Sequence, residues 1–140
     1  MSDVMIRRRD AAQASIDRFS GQSFVLGKVD CARLAAFHLR QCGYRVSLLK
    51  GGRYSTPMGA RRALERLGAK SLSDVLDAHL PRIAPLRAMT GDIFALRSED
   101  EQLGDALFIA VGNGRALGFV NGACGVWQPK EFVAAWRAPF

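Results

Sequence analysis

Cysteine is scarce and unpaired in this chain. Cys31, Cys42 and Cys124 are an odd number at unrelated spacings with no CxxC pair, so the sequence offers no disulfide framework, and the three read as thiols of a reducing compartment. Histidine is scarcer still, with only His38 and His79, which leaves a zinc site poorly supplied. No metal and no cofactor is expected. Long apolar runs are also missing: none approaches the roughly 18 residues of a membrane span, and the opening MSDVMIRRRD lacks the apolar core of a signal peptide. The expectation is a protein without a membrane span, made in the cytoplasm. Acidic residues are in the minority, 13 against 20 Lys and Arg, for a formal charge of +7. That excess suits a solvated surface, an acidic partner surface or a polyanion.

What is present describes a folded domain. The 140 residues are 49% apolar and 24% charged, enough to bury one core without crosslinks. A single domain over 1–140 is expected, with no internal repeat or low-complexity segment. Residues 3–19 place Val4, Ala11, Ala12, Ser15, Ile16 and Phe19 at helical spacing with Arg7 to Arg9 on the other faces. Three successive arginines suit nucleic acid, but a short charge run on a helix is more simply a solvated face, so nucleic acid is not the expected partner. Further on, Ser55 or Thr56 caps a helix MGARRALERLG with Pro57 at its first position, and SLSDVLDAHL forms a fourth helix closed by Pro81. Tyr44 to Ser47 is a short, extended piece, and residues 81–90 form a connector with two prolines.

From Gly91 the texture changes to short apolar runs between turns. Asn113-Gly114 and Asn121-Gly122 are hairpin signals, and strands are expected near 92–97, 105–111, 115–120 and 124–128, followed by a last short helix KEFVAAWR. Trp127 and Trp136 are expected in the core. Helices first and an antiparallel sheet afterwards make the fold class α+β.

The stretch with chemical potential is FVLGKVDCARLAAFHLRQCG, residues 24–43. Asp30 caps a helix, Cys31 sits in its first turn, and Gly43 ends it. A thiol at the positive end of a helix dipole is biased toward thiolate, so Cys31 is the candidate nucleophile and Asp30 a helix cap or an orienting group. The plain alternative is a cysteine packed as a small hydrophobe. His38 lies seven residues on, about 10.5 Å along the helix axis at 1.5 Å per residue, and is expected to be packed or half-exposed. His79 suits the C-terminal end of its helix. Cys42 and Cys124 fit core or hairpin positions.

With Phe24-Val25-Leu26-Gly27, Asp30-Cys31, Gly51-Arg53-Tyr54, Gly91-Asp92-Ile93-Phe94, Ile109 to Gly114 and Ala135-Trp136-Arg137 in this order, the chain resembles the NlpC-type branch of the papain-like cysteine peptidases, in particular a small branch common in phage and prophage tail gene clusters. The resemblance implies a cysteine-bearing helix packed on an antiparallel sheet, with an activating histidine on the strand after the Gly-Asp turn. At that position this chain has Ala106, and the usual Asp-Cys-Ser-Gly reads Asp30-Cys31-Ala32-Arg33. Asp105 beside it is a poor substitute, because a carboxylate raises a thiol's pKa. The resemblance therefore implies a catalytically degenerate domain serving as a structural or assembly component of a phage tail tip, with other tail-tip proteins as partners, in the host cytoplasm during assembly and then in the virion. Two alternatives stand beside it: an active cysteine peptidase or amidase acting on peptidoglycan stem peptides, and a basic nucleic-acid binding module.

Overall fold

The computed structural model describes residues 3–45, 53–99 and 104–140. Helices α1 (Asp3–Phe19), α2 (Cys31–Gln41), α3 (Pro57–Arg66) and α4 (Leu72–Asp77) come first, then strands β1 (Arg82–Ile83), β2 (Ile93–Arg97), β3 (Asp105–Gly112), β4 (Arg115–Val120), β5 (Ala123–Trp127) and β6 (Ala134–Trp136). One turn of 3-10 helix, Pro85–Arg87, follows β1. The strands form one six-stranded sheet in the order β1-β6-β2-β3-β4-β5, antiparallel at every pairing. The α+β class with helices on an antiparallel sheet is the observed architecture.

Local chemistry explains most of the boundaries. Asp30, Thr56 and Ser71 each accept from the backbone amide three residues on and start α2, α3 and α4. The β3–β4 and β4–β5 turns carry Asn113 and Asn121 at φ of 56° and 52°, each followed by a glycine with positive φ, the left-handed pair that a two-residue hairpin demands. Helices α1, α2 and α4 bury Phe19, Leu34, Leu39 and Leu76 against Ile93, Leu107, Ile109, Leu117 and Trp136 of the sheet. Each such side chain contributes about 1.5–3 kcal/mol when fully buried. A second, smaller cluster gathers around Phe94, Phe108 and Phe132.

Five expectations need correction. The last segment is a strand, β6: Ala134, Ala135 and Trp136 pair with β2 on one side and β1 on the other, and those ladder bonds override the helical look of KEFVAAWR. The connector after Pro81 contains β1. Arg8 is not on the solvated face of α1 but buried, at 3% exposure, whereas Arg7 and Arg9 are exposed. Val4 is exposed at 39%, so the packed face of α1 begins at Arg8. Trp127, at 37% exposure, is only partly covered, its indole N–H donating to the Gly118 carbonyl, while Trp136 is fully buried. Of the expected extended piece at 44–47, Val46 and Ser47 lie outside the described residues and Tyr44 and Arg45 belong to no strand; Lys50 to Gly52 and much of the polar turn before Asp105 also lie outside them.

Candidate functional site

The first turn of α2 is held in place by an overdetermined cap. Asp30, 2% exposed, accepts at Oδ1 from the Arg33 amide (3.1 Å) and at Oδ2 from the Gly27 amide (2.9 Å), Arg33 Nη1 (3.0 Å) and Tyr54 Oη (3.1 Å). Gly27 makes this approach possible. A Cβ there would lie 1.8 Å from the Tyr54 carbonyl oxygen, so only glycine lets the turn before α2 pass this close to the segment after Arg53. The Arg33 guanidinium also sits 5.5 Å over the Tyr54 ring. Burial first, and the Asp30 carboxylate second, push the Tyr54 phenol up to about 12, so it stays a donor. Asp30 thus holds the helix start, Tyr54 and Arg33 together, with four donors on its two oxygens.

Cys31 follows in the wall of a pocket of about 670 Å³ between α2, α3 and the sheet. Although the residue is only partly buried, desolvation lifts its thiol to about 11; a backbone contact at Leu107 of β3 opposes that rise and the Asp30 charge adds to it. Burial outweighs the helix-terminus effect, and the sulfur stays protonated near neutral pH. Across the pocket from α2 stand Asp105 and Ala106 at the start of β3. The Asp105 carboxylate accepts from the Ser73 hydroxyl of α4 at 2.5 Å, which gives it a structural task away from the sulfur.

Both histidines are engaged elsewhere, and neither lines the pocket. His38 is fully buried, more so than a half-exposed reading allows, with Nδ1 2.9 Å from Ser15 Oγ and Nε2 2.7 Å from the Gly91 carbonyl oxygen. A carbonyl only accepts, so Nε2 carries the hydrogen, while the Ser15 hydroxyl also reaches the Ala11 carbonyl oxygen at 3.1 Å. His79 is exposed and its Nδ1 meets Tyr44 Oη at 3.2 Å. Cys42 and Cys124 have thiols raised to about 12 and about 11, by burial above all. Among the described residues no group of three or more His, Cys, Asp or Glu is placed to hold a metal, and no helix is long and apolar enough to cross a membrane.

Asp92, in the Gly-Asp turn, anchors a second buried constellation that residue order alone did not disclose. Its Oδ1 accepts from Arg8 Nη1 and the Ala138 amide, and its Oδ2 from Arg137 Nη1 and the Met89 amide, all at 2.9 Å. The Phe140 ring lies 4.6 Å from the Arg8 guanidinium carbon. Two cations on one carboxylate, with two amides completing its shell, make a structural clamp whose oxygens are fully spent. A lone acid after a glycine, read with two arginines at the extremes of the sequence, is the only signal that could have suggested it.

Solved structures give the fold a context. The chain is similar to NlpC2 of Trichomonas vaginalis, at a TM-score of 0.61 and 16% identity over 94% of this chain and 47% of that one. It is similar to NlpC1 of the same organism, at 0.61 and 17% over 93% and 43%, and so spans less than half the length of either. Similarity to the P60 domain of an antigen from M. avium subspecies paratuberculosis runs the full length of both, 97% of each, at a TM-score of 0.62 and 12% identity. No curated protein matches the sequence. The fold is therefore the NlpC/P60 type of the papain-like architecture. By sequence, residues 6–138 match a family described as a domain of unknown function, DUF6950, and the chain belongs to that family.

Proposed function

We propose that this peptidase-like domain is catalytically degenerate and serves as a structural or assembly component of a phage or phage-derived tail tip. The observation that carries the loss of catalysis is the pair Cys31 and Ala106 facing one pocket with no imidazole in its wall. A cysteine peptidase needs a base within hydrogen-bond reach to take the thiol proton and return one to the leaving amine. Ala106 does neither, Asp105 is tied to Ser73, and a thiol at about 11 has very little thiolate at pH 7. What supports the tail-tip placement is the resemblance of the motif order to a phage-tail branch, together with a charge of +7 suited to acidic neighbouring surfaces.

The thiol at a helix start beside a pocket favours the second reading, a peptidase or amidase acting on peptidoglycan stem peptides. Two measurements separate the two. With iodoacetamide at pH 7.5, Cys31 in the folded protein is expected to react more slowly than in urea-denatured protein; faster labelling, with release of peptides from peptidoglycan abolished by Cys31→Ala, would establish the enzyme instead. In a complementation assay for tail formation, Cys31→Ala is expected to restore particles as well as the wild-type chain, while deletion of the gene leaves none. Normal tails without the gene would remove the assembly role.

A further inference from the structure

We propose that the pocket beside Cys31 binds an aliphatic chain bearing an anionic head, with the hydrocarbon between α3 and the sheet and the head at Arg97. The pocket's size, about 670 Å³, lies within the range of roughly 300–1,000 Å³ typical of small-molecule sites. Its body is hydrocarbon: Leu64 and Leu67 come from α3 and the turn after it, Leu72 from α4, and Leu96, Phe108 and Phe119 from the sheet. Small side chains make the room. Ala60 and Ala63 are the inward residues of α3, and Ala32 and Ala106 stand on the facing walls.

The polar groups in the lining choose between ligand classes, because most are already satisfied from within. Asp30 has four donors, Tyr54 gives its proton to Asp30, Asp105 holds Ser73, and Glu99 Oε1 accepts from the Asn121 amide at 2.8 Å. A peptide or a sugar would bring amides or hydroxyls into this space and leave most without partners, an expensive outcome in an apolar site. A hydrocarbon brings none. The protonated thiol of Cys31 adds no charge to the wall and forms no bond to the ligand. Among the charged groups of the lining the exception is Arg97, an exposed cation at the pocket's rim: Asp105 stands opposite it in the β2–β3 ladder but accepts from Ser73, and no ion pair joins the two. An anion on an otherwise apolar molecule fits that single cation.

The test is displacement of a dansyl-labelled undecanoic acid from the purified full chain by unlabelled competitors. Palmitate is expected to displace it saturably. Shorter saturated acids are expected to be weaker by about three- to fourfold per methylene until the pocket is full. Arg97→Gln, an exposed change that leaves the core intact, is expected to weaken palmitate by about 5- to 10-fold and to leave hexadecanol unchanged. Ala63→Phe, which fills the pocket, is expected to abolish displacement. Displacement by palmitate in solution identifies a free acid as the ligand, and displacement by phosphatidylglycerol vesicles alone identifies a membrane-borne one. The inference is overturned if neither displaces the probe, if the palmitate affinity is the same in Arg97→Gln, or if an apolar peptide of similar size competes better than palmitate. None of these readouts measures hydrolysis, so their failure and a failure of the catalytic reading are distinguishable.

Discussion

At the scale of single residues, the chain spends its buried charge on position. Asp92 and Asp30 each carry four accepted hydrogen bonds, and removing such a carboxylate strands cations that were brought out of water to meet it. Asp92→Asn is expected to cost on the order of 3 kcal/mol, read as a lowered urea midpoint, because Arg8 keeps its buried position without a counter-ion. Cys31 has the opposite problem, a group with chemical potential and no partner. Ala106→His would place an imidazole in the wall that the thiol shares. It is expected to lower the thiol from about 11 and to speed alkylation at pH 7.5 by at least about tenfold, measured as the pH–rate profile of iodoacetamide labelling. The capping role of Asp30 was readable from its neighbours, since a cap is settled within three residues. The burial of Arg8 was not: its counter-ion lies 84 positions away, and nothing in RRRD distinguishes the middle arginine from the outer two.

At the scale of elements, the hairpins show how local and cross-strand chemistry divide the work. Asn113-Gly114 and Asn121-Gly122 mark both turns in the sequence because positive φ narrows the choice of residue. What the turns do not announce is the packing of Phe108 on Gly118, one step beyond the Ile109–Leu117 pair of the β3–β4 ladder. A Cβ at Gly118 would fall 2.2 Å from the Phe108 ring, so the aromatic ring lies over bare backbone. Gly118→Ala is therefore expected to destabilise the domain by about 1–3 kcal/mol, with much of the loss recovered in the double variant Gly118→Ala, Phe108→Leu, measured as denaturation midpoints. β6 marks the limit of pattern reading. Its apolar residues fit a helical period over KEFVAAWR, but the unpaired edges of β1 and β2 on either side offer backbone partners, and no periodicity in the segment itself carries that information.

At the scale of the molecule, the α+β class and the order of motifs were legible, because helix caps and turn residues punctuate the chain. The pocket was not, because α3 from the middle of the sequence and β3 from its second half must meet before the space between them exists. His38 performs a comparable joining task, connecting α1 through Ser15 and the turn before β2 through Gly91. Burial, the largest cause, holds its pKa below 6.5, so in acid the unfolded chain binds a proton that the folded one refuses. Stability is thus expected to be level above pH 6.5 and to fall as pH drops below it, by up to about 1.4 kcal/mol per pH unit. Urea midpoints between pH 5 and 7.5 check this, and His38→Gln is expected to flatten the profile. Asp77, whose pKa Arg82 lowers from 3.8, contributes only at pH values below that window. The place of β6 has a further bearing on how the molecule is made. The last strand in sequence lies between β1 and β2 in the sheet, and Arg137 and Ala138 close the shell of Asp92. On the ribosome Arg8 emerges well before Arg137 and Ala138, and it stays in solution until they arrive to enclose its counter-ion. Chains stalled with residues 134–140 still in the exit tunnel are expected to remain protease-sensitive throughout, and resistance to arrive in one step once those residues have left it, so that this domain folds as a whole rather than element by element.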